Sequence, residues 1–120
     1  MKPKLGPLIA RRRYFSAHDV SRAAVVEVEI AAPAKSPHSE DEFMCSFRVK
    51  SPISDRTETV YGVDALQALL LALGYLEAIL QRLDSSSGLS LCWVGGEALD
   101  FGIRIPKFSD EEPALSAGKE

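Results

Sequence analysis

A chain of 120 residues and 13.1 kDa, 46% of it apolar, is enough for one domain with a real core and too little for a multidomain enzyme. Fourteen basic residues against 17 acidic ones leave a net charge of −3 and no overall positive field for a phosphate backbone, so nucleic acid is disfavoured as a partner. Cys45 and Cys92 are too few for a disulfide scaffold, and Met1-Lys2-Pro3-Lys4 leads into no apolar leader, which points to a cytoplasmic protein.

In chain order, Ile9 to Ser16 is a first strand candidate. A clearer one follows, where Ala24, Val26, Val28 and Ile30 alternate with Val25, Glu27 and Glu29. The stretch from Ala31 to Asp41, with Pro33 and Pro37, reads as a loop. Phe43, Cys45, Phe47 and Val49 then alternate with Met44, Ser46, Arg48 and Lys50, a half-buried strand, and Thr57 to Tyr61 is a weaker one. Residues 63 to 83 carry Leu66, Leu69, Leu73, Leu76, Leu80 and Leu83 at spacings of 3, 4, 3, 4 and 3, the pattern of an amphipathic helix. Its longest unbroken apolar run, Ala68 to Leu76, is too short for a membrane span, so no membrane partner is expected. Asp64 with Gln67 three residues on fits an N-cap with a capping-box partner, and Asp84-Ser85-Ser86-Ser87-Gly88 supplies the stop. Leu89 to Val94 and Leu99 to Ile105 then flank a Gly95-Gly96 turn as closing strands.

This order predicts an α+β single domain over 1–120: an antiparallel sheet of about four to six strands with one long amphipathic helix packed across one face. The ordered core is expected over about 9–106, and 107–120, with Asp110, Glu111 and Glu112, as a mobile acidic tail.

Chemistry-bearing residues are sparse. In Arg11-Arg12-Arg13, the strand period puts Arg11 and Arg13 on one face, where Glu27 and Glu29 and then Arg48 and Lys50 can answer them as cross-strand ion pairs on a solvated sheet surface. Ser16, His18 and Asp19 have the residue types of a hydrolase triad, but neighbours in one turn cannot meet as triad members from separate elements do. His38 falls in the Pro-rich loop and reads as solvated. Two histidines and two cysteines without close ligand pairs argue against a metal site, and the cysteines, on predicted strands, read as core filling. Asp100-Phe101-Gly102 lacks the glycine-rich loop and catalytic loop of a kinase, and Gly95-Gly96 opens into no helix that could cradle phosphate, so no cofactor is expected. Two surfaces remain. The back of the helix, with Gln67, Leu71, Gly74, Tyr75 and Ala78, is small and apolar where charges would suit a solvated face; terminal segments or another chain must cover it. Alternatively, Tyr61, Asp64, Gln67 and Trp93 would line a ligand site between sheet and helix.

Tyr61-Gly62-Val63-Asp64-Ala65-Leu66-Gln67-Ala68-Leu69, preceded by Cys45-Ser46-Phe47-Arg48-Val49 and followed by Leu91-Cys92-Trp93-Val94-Gly95 and Asp100-Phe101-Gly102, resembles a family of small uncharacterised bacterial proteins. Those proteins pair a Gly-x-Asp-Ala-x-Gln-Ala-Leu helix with a Leu-x-Trp-x-Gly strand. The likeness covers about residues 9 to 106, with Ser46 where Pro is usual, Phe101 where Leu is usual, and the closing proline delayed to Pro106. It implies no established activity, but a size and build like those of immunity proteins that neutralise bacterial toxins.

The expected function is therefore a non-enzymatic protein-interaction module: an immunity-type inhibitor or small regulatory adaptor. Its partner is expected to be a protein, such as a basic toxin, with a homodimer through the helix back. The other reading is a small-molecule or enzymatic domain with its site between sheet and helix.

Overall fold

The computed structural model describes residues 5–21, 23–93 and 101–103, and the α+β architecture expected from the sequence is the one observed. Its elements are β1 (Leu8–Ser16), β2 (Ala24–Ala31), β3 (Ala34–Lys35), β4 (Phe43–Lys50), β5 (Asp55–Gly62), α1 (Ala65–Ser87) and β6 (Leu91–Cys92). All strand pairings are antiparallel: β5 with β4, β4 with β2, β2 with β1, and β1 with β6. The two-residue β3 joins β4 beside Phe43 and Met44. It lies inside the expected loop, where the chain leaves the ladder at Pro33, which has no N–H to donate.

Strand alternation assembles the core. Tyr14 pairs with Val26, Arg12 with Val28 and Ala10 with Ile30, and the row continues through Val28↔Val49 and Ile30↔Phe47 into β4. Tyr14, Val26, Val28, Cys45, Phe47 and Val49 are buried on this inward face. From the helix come Ala68, Ala72, Leu76, Ile79 and Leu80. α1 lies over β4 and β5.

The buried face of α1 is not the leucine stripe as read from the sequence. Leu66 is 64% exposed, Leu69, Leu73 and Leu83 are half-buried, and Ala68 and Ala72 take the positions nearest the sheet. The reason is geometric: spacings of 3 and 4 repeat every 3.5 residues, and on a 3.6-residue helix such a row drifts by about 20° per heptad. The stripe therefore starts on the flank of α1 and reaches the core only near Leu76 and Leu80. Where the helix begins, a large side chain would not fit. A Cβ at Gly62 would lie 2.6 Å from the backbone N of Ala68, so strand end and helix meet through small residues.

The helix also runs further than its sequence signals suggest. Asp84 lies within it, buried, and its Oδ1 accepts the Leu91 N–H at 2.8 Å. Gly88 is the C-cap, in the left-handed conformation at φ 68°, with its N–H on the Asp84 carbonyl. Leu91–Cys92 is the observed part of the first closing strand. Val94, Gly95, Gly96 and Asp100 lie outside the described residues, as does the expected tail from 107 onward. Residues 101–103 are not a strand: Gly102 turns left-handed at φ 66°, and the segment lies on the inward side of β1.

Candidate functional site

The N-terminus of α1 holds three residues that the sequence suggested as a ligand lining. Asp64 is extended, and its Oδ1 accepts the Gln67 N–H at 2.8 Å. Gln67 Oε1 in turn accepts the Val63 N–H at 2.7 Å, a reciprocal cap that satisfies two backbone donors. Both side chains thus serve the helix end. Tyr61, exposed on β5, has its ring centroid 6.1 Å from that of His38. Trp93, the fourth suggested residue, lies elsewhere: it follows β6 at the opposite edge of the sheet from β5. The four residues are not brought together, because the sheet's full width separates Trp93 from the start of α1.

The solvent side of α1 carries the other suggested set. Gln67, Leu71, Gly74 and Tyr75 are exposed and Ala78 is half-buried. Leu66, Leu70, Leu71 and Tyr75 are 64, 43, 47 and 37% exposed, so this side of the helix is apolar over three turns. Tyr75 leans back to meet Phe47 edge-on, with ring centroids 5.8 Å apart. A Cβ at Gly74 would touch nothing within 4 Å, which leaves bare backbone at the centre of the face. In length and composition α1 also meets the measure of a membrane span, as a direct result of apolar residues on both its sides.

The outer face of the sheet is a charge ladder. Arg11 stands opposite Glu29 and Arg13 opposite Glu27, while Glu29 faces Arg48 and Glu27 faces Lys50. The ion pairs follow: Arg13 Nε to Glu27 at 3.3 Å, Arg11 to Glu29 at 3.6 Å, and Arg48 to Glu29 at 3.8 Å. Arg48 also makes a two-pronged bond to Asp55, at 2.8 and 2.7 Å, which holds its guanidinium charged above the ordinary arginine value. The sign alternates from strand to strand, so the face carries little net charge.

Arg12 faces the other way, and the sequence reading passed it over. Its Nη1 donates to the carbonyls of Phe101 at 3.1 Å and Gly102 at 2.8 Å, and its guanidinium stacks 4.0 Å from the centre of the Trp93 ring. Tyr14 Oη donates to the same Phe101 carbonyl at 2.6 Å. Gly102 is wedged between Arg12 and Trp93: a Cβ there would lie 2.5 Å from the Trp93 ring. Beside this clamp an apolar cleft of about 240 Å³ opens between β1–β2 and the flank of α1, lined by Ile30, Leu73, Leu76 and Ile103 among others, with Arg12 at its wall. The available signal was the strand period, which places Arg12 in phase with Ala10 and Tyr14 and out of phase with its two neighbours.

The remaining sequence candidates are local structure. Ser16 Oγ donates to the Leu89 carbonyl and accepts the His18 N–H, while Asp19 takes both the N–H and the hydroxyl of Ser21, which lowers its pKa. Cys45 and Cys92 are buried free thiols, and burial pushes Cys45 up. Among the described residues no group of three His, Cys, Asp or Glu side chains is placed to hold a metal ion.

The arrangement defines a small α+β domain: one sheet with a single helix across half of its inner face and a clamped segment on the other half. The chain belongs to a family defined as a domain of unknown function, DUF6968, whose model matches residues 11–105. No curated protein and no solved structure matches it.

Proposed function

We propose that the chain is a non-enzymatic protein-interaction module whose contact surface is the solvent side of α1, and that this surface pairs first with a second copy of the chain. The observation that supports the reading is the set Leu66, Leu70, Leu71 and Tyr75, exposed on both flanks of Gly74 on a helix whose opposite side already fills the core. Contiguous apolar surface of this kind marks contact sites, and covering each large side chain contributes about 1.5–3 kcal/mol, enough to offset the entropy of association. Gly74 at the centre suits close approach of a symmetry-related helix, since residue i of one copy then meets its own equivalent region in the other.

In this reading the cell uses the module as an immunity-type inhibitor or a small regulatory adaptor in the cytoplasm of a bacterium. From Tyr61 onward the chain has nine acidic and four basic residues, which favours a basic protein such as a nuclease toxin as the further partner. Cross-linking tests the surface. With Cys45 and Cys92 buried, a cysteine at exposed position 74 (Gly74→Cys) is an accessible thiol and should form a disulfide-linked dimer under mild oxidation. Thr57→Cys on the outer sheet face should not. Equal cross-linking at both positions would remove the assignment.

A further inference from the structure

In the Arg12 clamp one buried donor lacks an acceptor and one charge lacks a counter-charge among the described residues. Trp93 Nε1 is buried and has no hydrogen-bond partner, an uncommon and costly condition for an indole. Arg12 is half-buried, and among the described residues no carboxylate lies within ion-pair distance of it, although Arg11 and Arg13 on the other face each have one. Among the described residues its guanidinium donates from Nη1 alone, to neutral carbonyls. A cation so placed is favourable only when an anion or water answers it. Arg12 also lines the 240 Å³ cleft, whose other lining, apart from Arg11, is mostly apolar.

Size and chemistry together restrict what could enter. A cavity of roughly 150 Å³ accepts benzene, so this one accommodates a body somewhat larger, an aromatic ring with a short substituent or a chain of several carbons. We propose that the cleft binds a small amphipathic carboxylate, its apolar body between Ile30, Leu73, Leu76 and Ile103 and its carboxylate paired with Arg12. The carboxylate supplies the ion-pair partner that Arg12 lacks among the described residues, and the planar guanidinium, already oriented by Trp93 and by the two carbonyls, loses little freedom in pairing with it. This site is separate from the solvent side of α1.

The chain reports on the site by itself, because Trp93 is its one tryptophan. Octanoate, with octanol as the uncharged control, should be titrated into the full-length protein while the single indole N–H resonance and the emission of Trp93 are followed. Octanoate should shift both with saturation and bind at least about tenfold more tightly than octanol, the contribution expected of a charge-assisted pair. Arg12→Gln should abolish the preference. Since Arg12 also holds residues 101 and 102, Leu73→Phe supplies a second variant: it fills the cleft from the helix side, leaves the clamp untouched, and should remove octanoate binding with the remaining amide spectrum unchanged. An indole resonance unmoved by millimolar octanoate, equal affinity for octanol, or undiminished binding by Leu73→Phe would each overturn the proposal.

Discussion

Gly62, at the end of β5, sits where α1 meets the sheet and Gly74 sits on the side of α1 that does not, and alanine at each should move stability in opposite directions. At Gly62 a Cβ would lie 2.6 Å from Ala68 N, 3.0 Å from Ala68 Cα and 3.1 Å from the Gln67 carbonyl carbon. All three are backbone atoms of the first helical turn, so no side chain can swing aside and the helix end must move off β5. Such overpacking costs about 1–3 kcal/mol, and the reduced freedom of the unfolded chain returns about 0.4–1 kcal/mol. Gly62→Ala should therefore destabilise by about 1–2 kcal/mol. At Gly74 nothing lies within 4 Å of the added methyl, and alanine is favoured over glycine in a helix by about 1 kcal/mol, so Gly74→Ala should stabilise the monomer by that amount. Urea unfolding at low protein concentration measures both as shifts in midpoint at constant slope. A Gly62→Ala protein as stable as the parent, or a destabilised Gly74→Ala monomer, would refute the placement of α1.

Other expectations concern the cap, the clamp, the ladder and the buried thiol. Asp64→Ala should cost about 1 kcal/mol through the lost bond to the Gln67 N–H, with little effect on self-association measured by light scattering. Gly102→Ala, strained at φ 66° and set against Trp93, should loosen the clamp and shift Trp93 emission to the red. Glu29→Lys places a third cation between Arg11 and Arg48 and should destabilise by about 1 kcal/mol at low salt, less as salt is added. For Cys45 the folded-state pKa is raised by burial, so the unfolded chain ionises first. Its contribution to stability is intact below the ordinary thiol range and falls as pH rises from there through the folded value. The alkaline loss in urea midpoint should shrink in Cys45→Val.

Much of this architecture is written in local periodicity. Alternation in β2 and β4 fixed their inward faces, and the same two-residue period put Arg11 and Arg13 opposite Glu27 and Glu29. Asp64 and Gln67 are legible as a cap because the bonds span only three or four residues. What escaped reading depends on distant neighbours. Arg12 gains its role from Phe101 and Gly102, almost ninety residues away, and its inward position was hidden by two outward arginines beside it. Asp84 reads as a helix stop but is a buried bridge to Leu91, a role set by where the chain returns to β1. β5 alternates weakly because its inward positions opposite Phe47 and Val49 carry Glu58 and Arg56, bonded to each other at 2.7 Å on the sheet edge. Trp93 joins no site with Tyr61, since strand order cannot be read from strand sequence.

The claim that the solvent side of α1 is a protein contact surface is tested most directly by sedimentation equilibrium of the parent chain and Leu71→Arg over a concentration series. Leu71 is 47% exposed in the single chain, so arginine there should leave the unfolding free energy of the monomer, from urea unfolding at low protein concentration, within about 0.5 kcal/mol of the parent. The parent should associate reversibly to a dimer at high micromolar concentration and Leu71→Arg should stay monomeric. A parent chain that remains monomeric across the series, or a Leu71→Arg protein that dimerises as the parent does, would contradict the account.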